Sequence, residues 1–209
     1  MKVKICGLFR EEDIDFVNDA KPDYAGFVFA ASRRQLDFKT ARKLRSKLVD
    51  GIVPVGVFVN AEIGTIEALY SEGIIGAAQL HGGEDEAYIE RLKKRCRIQV
   101  IKTVICSGPC GAGDLIQAGS AADFLLFDSG AGSGRNFDWN ILDFKNKAQK
   151  PSRPWFLAGG INQDNIAKAM PLNPFCIDVS SGVESGGVKD GEKIKTIVSA
   201  VRKGWGLPL

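Results

Sequence analysis

Among the residues of this chain that could do acid–base chemistry, those placed at the ends of apolar stretches are the first guide to what it does. Cys6 closes the stretch "KVKIC" and is followed at once by Gly7, so a thiol sits where an extended segment stops and the backbone must turn. A buried cysteine is ordinarily just a small hydrophobe. To act as a base it must lose a proton held with a pKa of ~8.5, which requires a nearby positive charge. Lys4 lies two residues earlier on the same face of a strand and is placed to supply that charge. Asp128 ends "DFLLFD" and Asp178 lies within "FCIDVS". A carboxyl there can act as an acid only if burial or ligand anions make it keep its proton. His81 is the sole histidine, which excludes a His-rich metal centre.

The elements that must bring these groups together alternate along the chain. Eight apolar runs, "KVKIC", "DYAGFVF", "IVPVGVFV", "GAAQL", "IQVIKTV", "DFLLFD", "PWFLAG" and "FCIDVS", read as strands. Between them lie segments such as "EEDIDFVNDA", "TARKLRSKLV", "EIGTIEALYSEG" and "EDEAYIERLKKR", whose spaced apolar residues among charges read as amphipathic helices. Strand starts recur about every 25 residues, the length of a βα unit. Strands too apolar to have a solvated face imply a parallel sheet covered on both sides. Eight units over residues 1–209 predict an α/β fold, a single (β/α)8 TIM barrel that uses the whole chain as one catalytic domain. An open doubly wound sheet is the alternative, but no G-x-G-x-x-G opens a helix after the first strand.

Composition narrows the partners. The 209 residues carry a net charge of only +3 with both signs interspersed, so no basic stripe for nucleic acid is present. No run approaches the ~18 apolar residues of a membrane span, and no leader pattern is found, so a cytoplasmic protein with no membrane partner is expected. Five scattered cysteines argue against a disulfide framework, and "CSGPC" at Cys106–Cys110 lacks a second Cys/His pair to complete a zinc site. No metal is expected.

In a parallel barrel all strands point the same way, so the residues at their carboxyl ends converge on one face. Those ends supply Cys6, the segment after Phe29, Asn60, His81, Lys102, Asp128, Gly159 and Gly160, and Asp178 with Ser180, Ser181 and Gly182. Glycines after strand seven and Ser-Ser-Gly after strand eight let backbone N–H groups approach an anion, with a following short helix adding its dipole. A phosphate site is expected there, and with it a small phosphorylated metabolite as substrate.

Taken together, "KICGLFREED", "GFVFAASRRQL", "VGVFVN", "AAQLHG", "FLLFDSGAGSGRNFDW", "FLAGGIN" and "IDVSSGVESGGVKDGEKI" resemble the phosphoribosylanthranilate isomerases of tryptophan biosynthesis, in order from Lys2 to about Val201. The resemblance implies an Amadori rearrangement of N-(5-phosphoribosyl)anthranilate to 1-(2-carboxyphenylamino)-1-deoxyribulose 5-phosphate, with Cys6 as general base and Asp128 as general acid. It further implies Arg34 against the anthranilate carboxylate, Asp178 on the substrate's polar groups, and Gly159, Gly160, Ser180, Ser181 and Gly182 at the phosphate. No cofactor is called for, since the substrate amine is the electron sink; a monomer or a homodimer is expected.

The chain departs from the family pattern in places. Ser32-Arg33-Arg34 stands where Ser-Pro-Arg is usual, so Arg33 is an alternative to Arg34. Phe9 removes an expected N-cap from the first helix, and the loop after Asp128 is glycine-rich, with Ser133 where threonine is common, which suggests a mobile cover. Trp139 and Trp155 read as packing residues, Lys102 as a charge balance, and His81 as the substitute base should Cys6 be inert. The competing readings are another phosphosugar isomerase and a non-catalytic phosphate-ligand-binding barrel. Metal-dependent epimerases need two histidines, and the related histidine-pathway isomerase has an aspartate where strand one here ends in cysteine.

Overall fold

The structure is a computed structural model that describes residues 1–106, 121–128, 151 and 153–203. Eight parallel strands close a barrel in sequence order: β1 (Lys2–Cys6), β2 (Tyr24–Val28), β3 (Val53–Phe58), β4 (Ala77–Leu80), β5 (Gln99–Ile105), β6 (Phe124–Asp128), β7 (Trp155–Leu157) and β8 (Cys176–Val179), with β8 pairing back onto β1. Every strand falls where an apolar run predicts it. The described helices are α1 (Glu11–Ala20), α2 (Phe38–Lys47), α3 (Ile63–Ser71), α4 (Glu86–Arg95), α5 (Ile166–Ala169) and α6 (Gly191–Lys203). Among them no helix is long and apolar enough to cross a membrane.

The helices form where the sequence supplies both an apolar stripe and a start signal. In α6, Ile194, Ile197, Val198 and Val201 repeat at helical spacing and are all buried against the strands. Asp37 and Asp85 cap α2 and α4 by accepting the Thr40 and Tyr88 N–H groups at 2.7 Å. The missing cap at α1 is replaced from inside the helix. Buried Asp13 turns back so that its Oδ2 accepts the N–H groups of Phe9 (3.0 Å) and Arg10 (3.1 Å) while Oδ1 binds the Arg10 guanidinium.

Alternation along each strand divides the interior into two regions. Outward residues such as Val3, Ile5, Phe27, Val100 and Phe127 join the main core between sheet and helices. Inward residues near the amino ends of the strands, Tyr24, Val55, Ala77, Ile101, Leu126, Phe156 and Cys176, form a separate apolar plug inside the barrel. Its rings lock together, with Tyr24 and Phe124 each 5.5–5.6 Å from Phe156. Burying each large apolar side chain contributes about 1.5–3 kcal/mol, so the plug makes a floor on which polar groups above it can be held.

Candidate active site

Continuing up the same inward-facing rows, residue type changes. Lys4 and Cys6 on β1, Gln79 on β4 with His81 just beyond it, Thr103 on β5, Asp128 on β6 and Asp178 on β8 all lie above the plug. The register Lys4↔Asp178 sets a lysine beside an aspartate across β1 and β8, and the two bond at 2.8 Å with side chains 0% and 7% exposed. Burial works against the Lys4 charge, but Asp178 and Cys6 outweigh it and hold the ammonium above the ordinary lysine range. Burial likewise pushes the Asp178 carboxyl up, with Lys4 acting in the opposite direction. Among the described residues only one Asp178 oxygen is used: Oδ1 is buried with no hydrogen-bond partner.

Cys6 is half-buried at the top of β1. Its register partner on β2 is Gly26, where a Cβ would come within 2.7 Å of the sulfur, so the thiol occupies space that only glycine leaves open. Burial raises the Cys6 pKa, Lys4 lowers it and Asp178 raises it again; the net direction is upward. Lys4 therefore supplies the charge expected of it, to Cys6 as well as to Asp178, without offsetting the effect of burial on the thiol.

His81 is fixed from behind. Its Nδ1 lies 3.1 Å from both the Gln79 amide nitrogen and the Thr103 hydroxyl. With the Gln79 amide oriented so that its nitrogen donates, Nδ1 accepts and the ring proton falls on Nε2, which faces Asp128 Oδ2 at 3.8 Å. Burial lowers the His81 pKa against the pull of Asp128, leaving the ring neutral near pH 7. Lys102 lies one residue out of the inward register. Its ammonium reaches Gly82 O (2.6 Å) and Glu84 (3.1 Å), and Glu84 in turn accepts the Asn60 and Gly82 N–H groups. Lys102 and Asn60 thus build the rim and do not enter it.

The loops after β7 and β8 meet directly. Gly159 and Gly160 have φ of +88° and +69°, and a Cβ on Gly182 would run into the Ile161 carbonyl, so the loops touch only because position 182 has no side chain. Among the described residues, the N–H groups of Gly160, Ser181 and Gly182 have no acceptor. The Ser180 hydroxyl is donated to the Cys6 carbonyl at 3.0 Å, which ties β8 to β1. One expectation changes here. Only a single 3₁₀ turn, Ser181–Val183, follows β8, too short for a helix dipole.

Arg33 and Arg34 both reach Glu184: Arg33 Nη2 to Oε2 at 2.5 Å, Arg34 Nε to Oε1 at 2.9 Å and Arg34 Nη2 to Oε2 at 3.0 Å. Arg34 crosses directly over Gly7, next to Cys6, whereas Arg33 lies farther out, 53% exposed and bound to Gly187 O. Trp155 packs on Phe127 at 5.6 Å, as a core residue. Cys110, Ser133 and Trp139 lie outside the described residues. Gln79, Thr103, Glu184 and Lys189 belong to the site yet do not stand out in the sequence.

A closed parallel barrel whose buried inward-facing charges gather toward the carboxyl ends of its strands is, by class, a (β/α)8-barrel enzyme. Residues 3–200 match the family model described as N-(5'phosphoribosyl)anthranilate (PRA) isomerase. A protein of Endomicrobium trichonymphae named N-(5'-phosphoribosyl)anthranilate isomerase is 51% identical over 96% of this chain and 98% of its own. The crystal structure of phosphoribosyl anthranilate isomerase from Thermotoga maritima superposes with a TM-score of 0.83 at 34% identity, covering 97% of this chain and 99% of the other. Another isomerase structure, bound to reduced 1-(o-carboxyphenylamino)-1-deoxyribulose 5-phosphate, has a TM-score of 0.80 at 31% identity, with the same coverage. The chain belongs to the N-(5'-phosphoribosyl)anthranilate isomerase family.

Proposed function

We propose that this protein catalyses the Amadori rearrangement of N-(5'-phosphoribosyl)anthranilate to the 1-deoxyribulose 5-phosphate ketose in tryptophan biosynthesis, with Asp128 as general acid and Cys6 as general base. The observation that carries this reading is placement: Cys6 and Asp128 both end inward-facing rows at the carboxyl rim of one closed barrel, with the buried Lys4–Asp178 pair below Cys6. In the first step Asp128 gives its proton to the furanose oxygen. The C1–O bond breaks, and the nitrogen lone pair forms a cationic Schiff base. In the second step the Cys6 thiolate takes the C2 proton, the C–H electrons form C1=C2, and the iminium electrons return to nitrogen. The enolamine then gains a proton at C1 and loses one from the C2 hydroxyl, leaving the ketone.

Each remaining group has a role consistent with its surroundings. Gly159, Gly160, Ser181 and Gly182 present N–H groups to the phosphate, while Ser180 fixes the loop that carries two of them. The lone buried oxygen of Asp178 accepts a sugar hydroxyl, and the free edge of Arg34 takes the anthranilate carboxylate. The base step follows ring opening because C2–H becomes acidic only beside the cationic Schiff base; the thiolate that takes this proton forms by loss of the thiol proton to solvent, favoured by the Lys4 and Lys189 charges.

Mixing the protein with freshly prepared phosphoribosylanthranilate and following the loss of anthranilate fluorescence tests the proposal. Turnover that disappears in Cys6→Ala and in Asp128→Asn is expected. Full activity in either variant overturns that residue's assignment, and binding without turnover in the unaltered protein would instead favour a silent ligand-binding barrel.

A further inference from the structure

Beyond β8 the chain makes a two-residue hairpin that the reaction itself does not need. Glu184–Ser185 pairs antiparallel with Val188–Lys189 across Gly186-Gly187, whose φ values of +59° and +85° are those of the tight turn that matches strand twist. The register places Glu184 directly opposite Lys189. Both side chains turn inward: Glu184 is 5% exposed and Lys189 is fully buried. Lys189 Nζ bonds Glu184 Oε1 at 2.8 Å and the Ser180 carbonyl at 2.9 Å. Glu184 Oε1 and Oε2 also receive the Nε and Nη2 of Arg34. Burial acts against the carboxylate, but Arg34 and Lys189 hold the Glu184 pKa down at about 2.

This clamp has two consequences for Arg34. Its guanidinium has two flat edges able to grip a carboxylate; Glu184 occupies the Nε/Nη2 edge, and among the described residues the Nη1 edge meets no acceptor. The stem is pinned as well, since its Cδ lies 2.5 Å from where a Cβ of Gly7 would be. The orientation of the free edge beside Cys6 is thus fixed before any ligand arrives. Glu184 also does not cancel the local field. Arg33, Arg34 and Lys189 bring three positive charges against one carboxylate, so an arriving anion still meets net positive charge.

We propose that Glu184 is a positioning residue: held by Lys189 across the Gly186-Gly187 hairpin, it presents the free edge of Arg34 to the aromatic carboxylate of the substrate and so selects aminoaldoses that carry one. This rests on the function proposed above. A pre-aimed fork loses less freedom on binding than a mobile arginine, so the gain belongs to substrate affinity and not to the proton transfers.

The test compares unaltered protein with Glu184→Gln on two substrates, phosphoribosylanthranilate and the phosphoribosylamine made from aniline, which lacks the carboxylate. Turnover of phosphoribosylanthranilate by the unaltered protein checks the underlying function separately. For that substrate Glu184→Gln should raise KM tenfold or more with kcat within about threefold. For the aniline compound both parameters should stay within twofold. In an Arg34→Ala background, Glu184→Gln should add less than a further twofold, because it acts through the arginine. Equal losses on both substrates, or undiminished losses without Arg34, would overturn the proposal. If Glu184→Gln does not fold, Glu184→Asp, which keeps the charge but withdraws it by one methylene, must show the same substrate-dependent split or the proposal fails.

Discussion

Cys6 and Cys176 are both inward-facing thiols on neighbouring strands of one barrel, yet their surroundings differ in almost every respect. Cys176 sits in the apolar plug, fully buried among Tyr24, Phe156 and Leu126, and burial raises its pKa far above the ordinary thiol value. Cys6 stands above the buried Lys4–Asp178 pair, half-exposed, with Lys4 and Lys189 both favouring its ionised form. Residue type alone does not make a base. Height within the barrel does, because at Cys176 burial far outweighs the pull of Lys4 and Lys2, whereas Cys6 stands at the rim with Lys4 and Lys189 beside it.

Turnover gives the widest separation between the two. General base catalysis contributes about 10²–10⁴-fold, so Cys6→Ala should lower kcat by at least that lower bound, whereas Cys176→Ala should leave it within twofold. The same contrast appears in pH dependence. Because the Cys6 pKa is raised, the thiolate fraction of the free enzyme grows as pH rises, and the rate at which iodoacetamide alkylates Cys6, read by mass spectrometry, should climb through neutrality and level off only above the ordinary thiol value of ~8.5. A rate already flat at pH ~7 would mean that the thiol is ionised at rest.

The ion pair under Cys6 should dominate stability. Lys4→Met leaves the Asp178 carboxylate buried without its counter-charge, and breaking a buried pair in this way costs about 3–5 kcal/mol, readable as a lower denaturant midpoint. The loss has a definite pH direction. Without Lys4 the folded-state pKa of Asp178 rises further above its unfolded value, so the folded form is favoured at low pH and loses ground as pH rises through that raised value. The deficit should therefore shrink as pH falls.

Much of this contrast is legible in the sequence, and what is not has a physical cause. Eight apolar runs at a regular spacing identify the strands, and their ends identify Cys6, Asp128 and Asp178, because a parallel barrel turns strand ends into neighbours. Which side chains meet across strands depends on register, which the runs do not encode. The pairing that sets Lys4 on Asp178 was therefore hidden, as was the approach of Thr103 and Gln79 to His81. Lys102 shows the limit of reading strand ends alone: one residue out of phase, it faces the β4 loop instead of the interior. Glu184 and Lys189 could have been found from Gly186-Gly187, since a two-residue turn necessarily pairs the residues two positions to either side.

A smaller perturbation probes the space around the upper thiol. Gly26→Ala puts a methyl carbon 2.7 Å from the sulfur, closer than contact allows, and the Cys6 backbone at 2.9 Å cannot yield as a flexible side chain would. Overpacking of this kind costs about 1–3 kcal/mol. The thiol must move as well, so kcat should fall more than tenfold while the KM for phosphoribosylanthranilate changes little. Retention of full kcat would show that the position of the sulfur is not critical.

The smallest effect is expected at Cys176, and it tests the comparison from the other side. Replacing it with alanine removes one sulfur from a close-packed plug and leaves a void smaller than a deleted isobutyl group, for a loss of about 1 kcal/mol measured by denaturant unfolding. Nothing polar depends on this thiol: its only described hydrogen bond is a long contact of 3.5 Å to the Ile177 carbonyl. The plug should therefore repack around Tyr24 and Phe156 without disturbing Lys4 two strand positions above. If Cys176→Ala lowered turnover as steeply as Cys6→Ala, the two layers would be mechanically coupled, and the division into an apolar floor and a reactive upper layer would fail.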